Sequence, residues 1–324
     1  MAWGGGTRKA RSLQAAAAFY LESRRALGFA LKSEGAWLGN LVEPARQHQH
    51  RGALTNDLAL AWAELPPPAN SLRRARRLEA VRHFARFYSA FEPRTQIPPA
   101  GLFGPAYRRV PVPIYTPPEI GALLQAARQL PTAQSRRPLT FATLLGLLAC
   151  TGLRISEALQ LTLADWDPGA AGLTIRQSQF GQSRYGPLMA SAASALETCQ
   201  RARAKAFPGC RADALFLSPQ GQPLTCRAAG RTFAARRQQL GGQNQRPRPR
   251  LHDLRPTFTV ACRLRWYRQG QAELNAKILS LAVYLGQRNI RPACWYRTAV
   301  PELLALGSAR WASALAAQKG ATHD

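Results

Sequence analysis

"PLTFATLLGLLACTGLRISE", Pro138 to Glu157, is an apolar run that stops at a glycine and is followed at once by charge. The first fifteen residues have the length and composition of a buried helix, and Gly152 is placed to end it. Arg154 then follows that end directly, with Glu157 three residues on. An arginine fixed just beyond a buried helix is held at a defined point and cannot sample the surface freely. Its partners decide whether that point is a structural ion pair or a binding site.

Two later stretches bear on the same question. "HDLR" sets His252 and Arg255 around a predicted helix start, with Asp253 as the expected N-cap. "ACWYRTAVPELL" carries Tyr296 between a tryptophan and an arginine. Two arginines and a histidine converging on one point suit a phosphate, because guanidinium stays charged and binds oxyanions bidentately. A tyrosine is protonated at neutral pH and becomes a useful nucleophile only where fixed positive charge stabilises the developing anion. Taken singly, a salt-bridged arginine or a packed tyrosine is the more common reading of each.

The composition favours a polyanionic partner. Lys and Arg number 44 against 17 Asp and Glu, a formal net charge of +27. Such an imbalance costs stability by self-repulsion, and nucleic acid is the usual reason to carry it. Codon bias explains why arginine outnumbers lysine, but not the shortage of acids. The six cysteines form no C-x-x-C pair, which argues against a zinc site and for reduced thiols. No apolar run approaches the ~20 residues that span a bilayer. The basic N-terminus before "AAAAFYL" lacks a cleavage site, so a cytoplasmic, nucleoid-associated protein without a membrane partner is expected.

Residues 1–93 read as a small helical domain. Its clearest helix is "SLRRARRLEAVRHFARFYSAF", where Leu72, Ala75, Leu78, Val81, Ala85 and Tyr88 form the apolar face. Arg73, Arg74, Arg76, Arg77, Arg82 and Arg86 fill the other sides, as a solvated or phosphate-facing surface. Residues 94–117 are proline-rich and expected to be an extended linker, carrying Arg108 and Arg109. Residues 118–324 form the larger domain. Within it "GLTIRQSQFGQSRYGPLM" alternates and turns at Gly181, a predicted β-hairpin flanked by Arg176 and Arg184.

The order Arg154, hairpin, His252-x-x-Arg255, "YLG" and Tyr296 resembles that of the tyrosine recombinase (phage-integrase) family, across nearly the whole chain. The "YLG…WYRTAVPELL" ending resembles a subgroup that includes enzymes of multi-recombinase transposable elements. The resemblance implies a mainly α fold: an N-terminal all-α (SAM-like) core-binding domain, then an α+β catalytic domain with a small antiparallel sheet. It implies cleavage and rejoining of double-stranded DNA, without metal or cofactor, through a 3′-phosphotyrosyl bond to Tyr296. Arg154 and Arg255 would hold the non-bridging oxygens, His252 would donate to the phosphate or manage protons, and Glu157 would orient the set. Arg73, Arg74, Arg76, Arg77, Arg82, Arg86, Arg108, Arg109, Arg176 and Arg184 are the expected DNA contacts. A tetramer on DNA, with itself or related recombinases, would be joined through a terminal helix bearing Leu303, Leu304, Leu306, Trp311 and Leu315; packing of that helix on its own domain is the alternative.

The pattern is broken in places. The family's hairpin lysine, which protonates the 5′-oxygen leaving group, is matched by Gln179, and a second lysine by Gln182. Neither amide can give up a proton at useful pH. Gln287 stands where the family has His or Trp, and Pro256 follows Arg255 where His is frequent. An active recombinase and a catalytically impaired DNA-binding subunit working with active partners therefore both remain open. An unrelated basic nucleic-acid-binding protein would not need this ordered layout.

Overall fold

The computed structural model describes residues 12–47, 53–65, 70–107, 112–131, 137–176, 183–239, 248–269 and 273–287, with Glu302, Leu303, Ala305, Leu306 and Ser308 near the end. Among them no helix is long and apolar enough to cross a membrane. The chain divides into two compact units, Met1–Arg109 and Val110–Asp324.

The first unit is all helical: α1 (Leu13–Ala26), α2 (Lys32–Gln47), α3 (Asn56–Glu64) and α4 (Ser71–Tyr88). Side-chain caps start three of them, with Ser12, Thr55 and Asn70 each accepting from a backbone N–H of the first turn. Leu38, Leu41, Leu54, Trp62, Phe84 and Tyr88 fill its core. The face expected from α4's spacing is the one buried, but two arginines join it. Arg77 is 5 % exposed and its guanidinium lies 3.9 Å from the Trp62 ring centre. Arg82 is 7 % exposed, donates to the Pro98 carbonyl and sits 3.2 Å from Glu79. The expectation of a solvated or phosphate-facing surface thus fails for these two, because cation–π contact and a captured carbonyl replace water.

The proline-rich stretch has no helix in its described residues 94–107 but turns at residues 100–103, and it is not loose. Gln96 donates its N–H to the Leu54 carbonyl at 2.8 Å, and Arg76 donates to the Ala106 carbonyl at 3.1 Å.

The second unit opens with α5 (Pro117–Arg128), started by a Thr116–Glu119 capping box with proline in its first turn. Then follow α6 (Arg137–Thr151), α7 (Ile155–Gln160) and a 3₁₀ turn at Leu163–Asp165. The sheet is three-stranded and antiparallel in the order β1 (Trp166–Asp167), β2 (Gly172–Ile175), β3 (Arg184–Pro187). Ile175 pairs with Arg184 across the predicted hairpin, whose turn residues 177–182 lie outside the described residues. Helices α8 (Ala190–Ala206), α9 (Cys226–Gln239), α10 (Leu254–Arg268) and α11 (Leu274–Tyr284) complete the unit. Helix α6 is the centre of the core. Phe141, Leu144, Leu145, Leu147 and Leu148 are buried with Leu173, Leu196, Leu215 and Phe216. A helix apolar on most sides must be enclosed, and here α5, α8 and α10 pack around it.

Leu303 is fully buried within its own chain, and Glu302 pairs with Arg268 of α10. At Leu303 the terminal stretch therefore packs on its own domain. Leu304, Trp311 and Leu315 lie outside the described residues.

Candidate active site

Gly152 fixes the start of the site. It ends α6 with φ +64°, which a side chain rarely adopts, and a Cβ there would meet Phe258 Cδ1 at 2.6 Å and Leu285 Cδ2 at 3.0 Å. The turn can therefore lie flat against α10 and the end of α11 only without a side chain. Gly152→Ala is expected to lower stability by about 2–4 kcal/mol, from left-handed strain plus overpacking. Urea denaturation checks this; an unchanged midpoint would mean the turn is free to move.

Two residues on, Arg154 precedes α7 and Glu157 lies in its first turn. The Glu157 carboxylate accepts from the Arg154 backbone N–H at 3.0 Å and from Arg154 Nη1 at 2.6 Å. It also accepts from Arg184 Nη2 at 2.8 Å and Nη1 at 3.3 Å, and Arg255 Nη1 stands 3.9 Å away. Burial pushes this carboxyl up, but the hydrogen bonds and charges of Arg184 and Arg154 outweigh it and hold the pKa below the ordinary value. Glu157 is thus an anion at neutral pH. Three guanidinium groups around one carboxylate leave two positive charges in excess.

Arg255, in the first turn of α10, is 6 % exposed and donates Nη1 to the Gly152 carbonyl at 2.9 Å and Nη2 to the Leu285 carbonyl at 2.7 Å. Pro256 follows it within the same turn. Proline is tolerated in a first turn, and the two carbonyls hold the side chain. Asp253 stands at the N-cap as expected, but its side chain makes no capping bond there. It accepts instead from the Arg250 N–H at 2.6 Å, closing the preceding 3₁₀ turn Leu251–Asp253. That turn presents His252 to solvent. Desolvation of its inner side, then the Arg255 charge, hold the imidazole below its ordinary pKa against Asp253, with Arg250 and Arg154 adding to the lowering. His252 is therefore neutral at pH 7 and able to take up a proton beside a bound anion. Gln287 follows the α11 turn, and its Oε1 is buried with no hydrogen-bond partner among the described residues.

Arg255, about a hundred residues further on, is brought into one cluster with Arg154 and Glu157; His252 lies within reach of both arginine charges. Tyr296, Gln179, Arg108 and Arg109 lie outside the described residues. Arg184, expected on DNA, points inward, with its side chain 12 % exposed. Arg176 is exposed but pairs with Asp165. On α4, Arg73, Arg76 and Arg86 are exposed, while Arg74 is half-buried, 3.8 Å from Glu64. One surface escaped the sequence reading. Helix α9, "CRAAGRTFAARRQQ", has no acid in its 14 residues and exposes Arg227 and Arg231. The signal that could have found it was the absence of carboxylates.

The sequence model of the phage integrase family matches residues 114–265, which span α5 to most of α10. A putative integrase/recombinase of Sinorhizobium fredii, y4rB, is 38 % identical over 293 residues, 88 % of this chain and 92 % of its own. This chain belongs to the phage integrase family of tyrosine recombinases. A second putative integrase/recombinase of that organism, y4rE, is 32 % identical over 90 % of this chain and 93 % of its own. Solved tyrosine recombinases have the same fold. The Tn1549 transposon integrase in complex with transposon right end DNA aligns with TM-score 0.62 at 17 % identity, over 87 % of this chain and 93 % of that one. A lambda integrase tetramer bound to a Holliday junction aligns with TM-score 0.60 at 16 % identity, over 87 % and 79 %. The mainly α architecture with a three-stranded antiparallel sheet is thus that of the tyrosine recombinases.

Proposed function

We propose that this family member is a site-specific DNA recombinase that uses Tyr296 as its nucleophile and needs no metal. The observation that carries the reading is the cluster of Arg154, Arg184 and Arg255 around the single carboxylate of Glu157. Attack of a tyrosine oxygen on a phosphodiester forms the Tyr–O–P bond and breaks the bond to the 5′-oxygen. Between them lies a five-coordinate phosphorus bearing two negative charges, and the cluster's excess of two positive charges matches it. Arg154 and Arg255 hold the non-bridging oxygens, Gln287 adds an amide donor, His252, neutral beforehand, takes the tyrosine's proton, and the departing 5′-oxygen, with no acid at Gln179, takes one from water. The exposed arginines of α4 in the first unit, and separately those of α9 in the second, offer contacts to double-stranded DNA, with assembly as a tetramer, one state in which the structurally similar lambda integrase was solved.

The amide at Gln179 favours a second reading. A chain that cannot protonate the leaving oxygen is a DNA-binding subunit acting beside active partners.

A nicked suicide duplex bearing the protein's own recombination site separates the two. The expected result is a covalent protein–DNA adduct on a denaturing gel that Tyr296→Phe abolishes. Tight, salt-sensitive binding with no adduct would leave only the second reading.

A further inference from the structure

We infer that Arg184 is a positioning residue that locks together the three chain segments of the site, rather than a contact to DNA. The inference rests on the proposed role of Tyr296. The Arg184 side chain leaves β3, the strand that returns from the hairpin turn holding Gln179. Its Nη atoms bind both oxygens of Glu157 on α7, at 2.8 and 3.3 Å. Its Nε donates to the Tyr284 carbonyl, the last residue of α11, at 2.9 Å. One guanidinium thus ties the hairpin, the carboxylate that aims Arg154, and the turn from which the chain runs on to Tyr296.

The turn is shaped to receive it. Gly286 has φ +63°, and a Cβ there would lie 2.7 Å from Arg184 Nη1 and 3.1 Å from Cζ. The adjoining Leu285 carbonyl is taken by Arg255 Nη2. Successive carbonyls at the end of α11 are therefore gripped by two arginines, each also beside Glu157. A helix C-terminus is a favourable place for cations, and the fork of guanidinium reaches a carbonyl and a carboxylate together. Lysine donates from one nitrogen and lacks the fork that here spans a carbonyl and both carboxylate oxygens.

The test compares Arg184→Lys and Arg184→Gln with wild type in three measurements: adduct formation on the suicide duplex, DNA affinity across a salt series, and hydrogen exchange of the Leu285, Gly286 and Gln287 amides, which donate to Leu281, Val283 and Ala282. Both variants are expected to slow adduct formation about 100-fold, as misplacement of reacting groups does. DNA affinity and its salt slope should stay unchanged, and the three amides should exchange faster. Gly286→Ala, which leaves the charge of Arg184 in place but crowds its guanidinium, should give the same pattern. Full rescue by lysine would reduce the role to charge and overturn the inference. So would a salt slope lowered by about one with weakened binding, the mark of a phosphate contact. If wild type forms no adduct, the proposed function fails, but the exchange arm still decides: unaltered protection at Leu285 to Gln287 in both variants refutes the lock.

Discussion

Glu157→Ala should destabilise the second unit by about 3–5 kcal/mol, the cost of leaving buried charge without its partner. The carboxylate is 4 % exposed and is the shared acceptor for Arg154 and Arg184, with Arg255 beside it. Without it three guanidinium groups repel one another across a water-poor space. Glu157→Gln, which keeps the shape and one acceptor oxygen, should lose less. Differential scanning calorimetry gives the ordering, and equal melting for all three proteins would refute the claim that the cluster is coupled. The pH dependence follows in sign. The folded pKa of Glu157 lies below its unfolded value, so its contribution is present above the unfolded carboxylate pKa and is lost as pH falls through the folded one. The alanine variant should therefore lose less stability than wild type on acidification. Adding DNA should narrow the deficit, since a bound phosphate supplies the missing negative charge.

The second large effect is a gain. Gln179→Lys is expected to raise the rate of adduct formation by about 10²–10⁴-fold, the usual worth of a positioned general acid. The leaving 5′-oxygen must acquire a proton, and an amide has none to give at neutral pH. The register Ile175↔Arg184 fixes the two strands that the segment holding Gln179 joins. The arginines that flank it do not replace the acid: Arg184 is committed to Glu157 and Tyr284, and guanidinium is too weak an acid. Single-turnover cleavage measures the change. No gain would mean that the proton comes from another group, or that the chain's part is binding alone.

The helices that the sequence announced are those with strong local signals: α4 with its apolar face, apolar α6 ended at Gly152, and α10 opening after Asp253. Strand β1 and helices α7, α8 and α9 gave no comparable signal. Two residues of β1 exist only because β2 offers an edge, and α8 and α9 are rich in alanine and arginine with weak apolar periodicity.

By itself the sequence determined the family, because the ordered spacing of Arg154, the hairpin, His252-x-x-Arg255 and Tyr296 is a property of the chain. It also determined that Gln179 stands where an acid is expected. Only the tertiary structure decided what each arginine does. Arg77 on Trp62, Arg82 on Pro98 and Arg184 on Tyr284 all looked like surface charge. Each side chain combines a long apolar stem with a fork of donors, so its direction is set by whichever ring, carbonyl or carboxylate the fold brings alongside, and one of those partners, Tyr284, lies a hundred residues away.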